Sequence, residues 1–125
     1  MYISFVSFFR REALDADTTA VVMGLRDARA KTLASVNGSE YGVVIDPDKF
    51  TLFVGATYDS MASTNQVFDF SSYIHASSST ISTVVFQRLT GNSSASGTID
   101  MYLISDPTVK RTIGIGGTGL INVYK

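Results

Sequence analysis

The chain has no cysteine, and only one histidine and two prolines in 125 residues. Without thiols there can be no disulfides, thiolate metal sites or cysteine nucleophiles. The compartment stays open, because a secreted protein with an adequate core needs no disulfides. The lone His75 lies beside Ile74 in a serine-rich stretch. It cannot support a hydrolytic triad or a histidine-rich metal site by itself. No stretch approaches the roughly 20 apolar residues that a membrane-spanning helix needs. Charge of either sign is also scarce: 10 Lys and Arg stand against 11 Asp and Glu, a formal net charge of -1. That balance argues against a surface built to neutralise many phosphates, a local basic patch aside.

What remains is a globular composition. Hydrophobic residues make up 45%, aromatics 11% and charged residues 17%, enough for one domain with its own core. The chain opens on a dense apolar run, Tyr2, Ile3, Phe5, Val6, Phe8 and Phe9, halted by Arg10 and Arg11. It is too short for a span and has no basic region ahead of it, so it does not read as a signal peptide. Two readings are open: a buried first element, or the end of a longer hydrophobic segment lying upstream.

From Arg11 to Val36 there is no proline, and Gly24 is the only glycine. Leu14, Val21, Leu25, Ala28 and Thr32 recur at helical spacing and share one face, which Val22, Leu33 and Val36 widen. Asp27 and Lys31, one turn apart with the acid first, add slight support. Asn37-Gly38 supplies a left-handed stop. The pattern predicts a long amphipathic helix over 1–37.

Beyond Gly38 the period shortens. Tyr41–Ile45 and Lys49–Val54 flank Asp46-Pro47-Asp48, which reads as a hairpin turn. Residues 56–79 are rich in Ala, Ser, Thr and Asp and predict an irregular segment with one short strand near Gln66–Phe70. Thr80–Arg88, Gly97–Ser105, Val109–Gly114 and Gly119–Tyr124 are rich in Ile, Val, Thr, Tyr and Phe, and turn residues separate them. No second helical pattern alternates with the strands, which excludes a doubly wound parallel sheet. The expected class is α+β: a long N-terminal helix packed on an antiparallel meander, as one sheet or two small ones. The β region spans 38–125, and helix and strands form a single globular domain.

Residues that could carry chemistry are few and scattered. Asp46, Asp48, Asp59, Asp69, Asp100 and Asp106 fall mostly at turns or strand ends, and Asp46-Pro47-Asp48 lacks the spaced ligand loop of a calcium site. Gly114-Ile-Gly-Gly-Thr-Gly119 looks like a phosphate loop, but strand-forming residues follow it instead of a helix. No catalytic residue, metal site or cofactor is expected. Lys110, Arg111 and Lys125 could touch an anionic ligand, although a few basic residues on a terminal hairpin commonly form a solvated edge.

The helix carries one family likeness. Ala20-Val-Val-Met-Gly-Leu25-Arg-Asp-Ala-Arg29-Ala-Lys-Thr-Leu33-Ala-Ser-Val-Asn37 resembles the second half of the N-terminal helix of pilin-like proteins. It is most similar to that of H-type pseudopilins of type II secretion and FimT-like minor pilins of type IV pili. Leu25, Ala28, Arg29, Leu33 and Asn37 fill the places of the family run, and Tyr41-Gly42-Val43-Val44 follows as its first strand. The resemblance covers roughly the first 55 residues, with the remainder matching by architecture only. The family's cleavage site, and the Glu within its apolar helix, are absent from the sequence. The resemblance therefore implies that they lie upstream and that residues 3–9 continue a membrane-spanning half-helix.

The resemblance further implies a structural subunit of a type IV pilus or a type II secretion filament. Such a subunit sits in the bacterial inner membrane before assembly, then in a periplasmic or extracellular filament, and these residues alone would form a monomer. Its partners would be copies of itself and other pilin-like subunits. Ile3, Phe5, Val6, Phe8 and Phe9 would form the assembly face; Leu14, Val21, Leu25, Ala28 and Leu33 would hold the helix to its sheet. Two other classes remain. One is a binding module, an adhesin or minor pilin touching DNA or a surface ligand, with contact to a secreted protein also open. The other is a viral or cell-surface structural β-protein.

Overall fold

The structure, a computed structural model, describes the backbone of residues 2–78 and 81–124, and their side chains apart from those of residues 2–7 and Asn37. Helix α1 runs Tyr2–Leu33 and is followed by a single 3-10 turn, Val36–Gly38. Among the described residues eight strands complete the fold: β1 Tyr41–Ile45, β2 Lys49–Val54, β3 Gln66–Asp69, β4 Ile74–Ser77, β5 Thr83–Val85, β6 Gly97–Leu103, β7 Lys110–Ile115 and β8 Ile121–Tyr124. They form two antiparallel four-stranded sheets, ordered β3-β2-β1-β5 and β4-β6-β7-β8. One helix on two small antiparallel sheets is the expected α+β class.

The helix packs as its period requires. Leu14, Val21, Leu25 and Ala28 are fully buried, and they join residues of both sheets in one apolar core that includes Val43, Val84, Ile99 and Ile113. Burying each leucine or valine there stabilises the fold by roughly 1.5–3 kcal/mol. Gly24 lets this contact be close, since a Cβ at that position would lie 2.7 Å from the Phe50 ring. Leu33 departs from expectation: it is 40% exposed, whereas Thr32 is fully buried. The reason is angular. Thr32 follows Leu25 and Ala28 by seven and four residues, and Leu33 is turned a further ~100° toward solvent. The Thr32 hydroxyl donates to the Ala28 carbonyl at 2.8 Å and accepts the Tyr41 backbone N–H at 2.9 Å. It thereby ties the end of the helix to the first residue of β1.

The helix ends earlier than the Asn37-Gly38 signal predicts. Ser35 takes the left-handed conformation (φ 53°), and Gly38 (φ 64°) closes the short 3-10 turn beyond it. The side chain of Asn37 lies outside the described residues. The hairpin at Asp46-Pro47-Asp48 is closed by the Asp46 N–H donating to the Lys49 carbonyl at 2.8 Å.

The strands do not follow one another as the expected meander. After β3 the chain crosses to the second sheet as β4, returns to pair β5 with the open edge of β1, and crosses again to β6. Strand β4 falls inside the stretch expected to be irregular; its buried Ile74 and Ala76 alternate with His75 and Ser77. Residue composition reports that a segment is extended, but not which edge it will pair with. The first crossover is pinned by α1: the buried Asp17 carboxylate accepts the Ser71 backbone N–H at 2.8 Å. The expected start of a strand at Thr80 and the Ser79-Thr80 part of the serine tract lie outside the described residues.

Candidate functional site

The described surface of α1 divides into two stretches. From Leu14 to Thr32 one side is clamped to the sheets. Polar contacts reinforce the packing along its flanks: Asp15 pairs with Arg111 at 2.8 Å, Arg26 reaches the Ile121 carbonyl at 3.3 Å, and Arg29 reaches the Gly91 carbonyl at 3.1 Å. Before Leu14 the helix exposes Phe8 and Phe9. Phe8 is 57% and Phe9 63% exposed, their rings edge to face at 5.9 Å. Exposure of two adjacent phenylalanines is unusual for a surface with no partner. Ile3, Phe5 and Val6, expected on the same face, have side chains outside the described residues. Arg10 turns back to the sheets, its guanidinium 3.3 Å from the Ser105 hydroxyl and 5.5 Å from the centre of the Tyr73 ring.

At the other end of the helix lies an open groove of about 480 Å³ between α1 and the β7–β8 turn. Arg26, Arg29, Ala30 and Leu33 form one wall; Thr118 and Leu120 form the other. Leu120 is 63% exposed. Two turns meet at the floor of this region. Arg29 Nε donates to Gly91 O, and its Nη2 makes a longer contact of 3.5 Å with the Thr118 carbonyl. Gly119 adopts φ +88°, and a Cβ there would collide with the Gly91 carbonyl oxygen. The glycines of 114–119 thus serve a hairpin turn and a close approach, with β8 following them rather than a helix.

Of the anionic-ligand candidates, the two described each stand beside an acid. Arg111 is engaged by Asp15, with only 17% of its side chain exposed. Lys110 stands 3.9 Å from Asp100. Lys125 lies outside the described residues. His75 is half-buried, edge-on to Tyr102 at 6.3 Å between ring centres. Among the described residues no cluster of His, Asp or Glu could hold a metal ion, and no helix is long and apolar enough to cross a membrane.

Phe8 and Phe9, expected on an assembly face, are exposed, whereas nothing in the sequence pointed to the groove. Its two walls come from residues more than 80 positions apart, and a turn of glycine and threonine gives no hint of what it will face. Arg29 was legible only as part of the family-like helical run, and its two carbonyl partners supply a physical reason for an arginine there.

No family model and no curated protein matches this sequence. A solved structure does. The type IV minor pilin FimU of Pseudomonas aeruginosa (strain PAO1) superposes with a TM-score of 0.72, covering 94% of this chain and 92% of that one. The fold is that of a pilin. Identity over the match is 15%, so the pilin-like likeness resides in the arrangement of helix and sheets rather than in shared side chains. That arrangement extends the likeness beyond the first 55 residues, through the two sheets.

Proposed function

We propose that this chain is a structural, non-catalytic subunit of a pilus-type filament, assembling through the exposed start of α1. The observation that carries the reading is the outward pair Phe8–Phe9, on a helix whose following stretch, from Leu14 to Thr32, is fixed to a pilin-like β-domain. Exposed aromatics cost little in a monomer, and they become favourable at roughly 25 cal/mol per Å² once a neighbour covers them. The β-domain would form the outer body of the filament, and copies of the chain and other pilin-like subunits would be its partners. An upstream hydrophobic half-helix would hold the subunit in the inner membrane before assembly, its backbone polar groups satisfied internally. The assembled filament would be periplasmic or extracellular. A pilus and a type II secretion filament both fit this surface.

The alternative of an anion-binding module has less support, because Arg111 spends its charge on Asp15. The test is to express the native gene in its own host and shear the cell surface, then ask whether the chain co-sediments with filaments. Incorporation that is lost on Phe9→Ser, while the folded chain still accumulates in the membrane, is the expected outcome. A chain absent from every filament fraction, whether or not the aromatics are intact, would overturn the reading.

A further inference from the structure

The two unpartnered regions of α1 are complementary to each other. At one end, Phe8, Phe9 and Glu12 share the outward face, Glu12 lying one turn after each phenylalanine. Glu12 is exposed and forms no ion pair among the described residues. At the other end the groove presents two guanidiniums, Arg26 and Arg29. Their hydrogen bonds among the described residues go only to backbone carbonyls. Beside them stand the exposed apolar side chains Leu33 and Leu120. One end thus offers two aromatic knobs with an unpaired acid between them and the exposed Arg11 to one flank, and the other an apolar trough with two unneutralised bases.

We infer that the Arg26–Arg29–Leu33–Leu120 groove of one copy receives the Phe8–Phe9–Glu12 segment of a second copy of this chain, head to tail. The inference rests on the filament reading and names the surface that would join neighbours. Glu12 and Arg29 are separated by 17 residues of one helix, about 26 Å at 1.5 Å per residue, so a copy cannot satisfy its own groove. The two patches are different surfaces, which makes the contact heterologous. Repetition of such a contact generates an open filament unless the rotation happens to close a ring. Arg26 and Arg29 would meet the Glu12 carboxylate, with charge fixing the register and the rings providing the apolar burial.

The absence of cysteine allows a direct test on the isolated chain. An Ala16→Cys, Thr118→Cys double variant, which places the thiols on exposed positions beside the two patches and keeps Phe9 and Leu120, should give a ladder of cross-linked multimers when oxidised at high concentration, whereas either single variant should stop at dimers. Leu120→Asp changes an exposed residue and leaves folding intact by circular dichroism, and Arg26→Glu, which gives up the bond to the Ile121 carbonyl, is checked for folding in the same way. Arg26→Glu in the cysteine pair should reduce the ladder about fivefold, and adding Glu12→Arg should restore it. Products no larger than dimers, or a ladder indifferent to Arg26→Glu, would overturn the groove as the docking site. In cells, filaments that form normally with Leu120→Asp would reject the groove and leave the filament reading standing. Absence of the unaltered chain from filaments would instead remove the reading beneath it.

Discussion

The two stretches of α1 obey the same helical period and have opposite fates. Between Leu14 and Thr32 the apolar face meets two sheets and disappears from solvent; at Phe8 and Phe9 larger and more apolar side chains remain exposed. Hydrophobicity alone therefore does not mark the core of this molecule. What marks it is whether the sheets extend far enough to cover a given turn of the helix. The difference separates residues that fold the chain from residues available to a neighbour, and substitutions along the helix should divide the same way.

The largest effect should come from Leu25→Asp. A carboxylate placed where no side chain is exposed has no partner among the described residues, and such a change costs on the order of 4 kcal/mol or more. A large share of the stability of a domain this size would be lost. The expected result is a chain without a cooperative thermal transition, read by circular dichroism. A melting temperature within a few degrees of the parent would break the assignment of Leu14–Thr32 as the folding stretch.

Gly119→Ala comes next. It asks an L-residue to hold φ +88° with its methyl against the Gly91 carbonyl. The strain is about 2–3 kcal/mol, roughly a 10 °C fall in melting temperature. A smaller loss would mean that the Gly91 and Gly119 turns can separate, and with them the seat of Arg29.

Thr32→Val keeps the shape but removes the hydroxyl that accepts from Tyr41 N–H and donates to Ala28 O. A loss of about 1–2 kcal/mol is expected in urea unfolding, with an unchanged slope. Removal of the hydroxyl without effect would show that packing alone holds the helix end to β1.

The contrast between Thr32 and Leu33 also shows how far a sequence can be read. Helix, strand types and hairpin turns follow from local rules: period, β-branching, and Asp, Pro and Gly at fixed places. Leu33 misleads because hydrophobicity outvotes the angle, although the Leu25–Ala28–Thr32 spacing already points to the threonine. The crossing of β4 and β5 between sheets is not local. It depends on β1 retaining an open edge for β5 and on Asp17 holding Ser71, a contact 54 residues long in sequence. The groove is hidden for the same reason, since Arg29 and Thr118 become neighbours only after both sheets have formed. Phe8 and Phe9 were open by pattern alone, buried or continuing upstream, and only the family resemblance put them on an assembly face; their exposure depends on where the sheets end, which no local rule gives.

The smallest change in stability should accompany Phe8→Ser, and it sharpens the comparison most. Phe8 is already more than half exposed and sits on the first described turns of α1, so its loss should alter unfolding free energy by no more than about 0.5 kcal/mol. Its melting curve should overlay that of the parent. Assembly should respond differently, because a side chain that contributes nothing to the monomer can contribute its full apolar area to a contact between copies. Thermal melting and sedimentation of the same preparation separate these outcomes. Unchanged melting with weakened self-association would place Phe8 in the contact between copies. A melting loss comparable to that of Leu25→Asp would mean that the first turns are part of the folding core after all, and the division of α1 into two stretches would have to be given up.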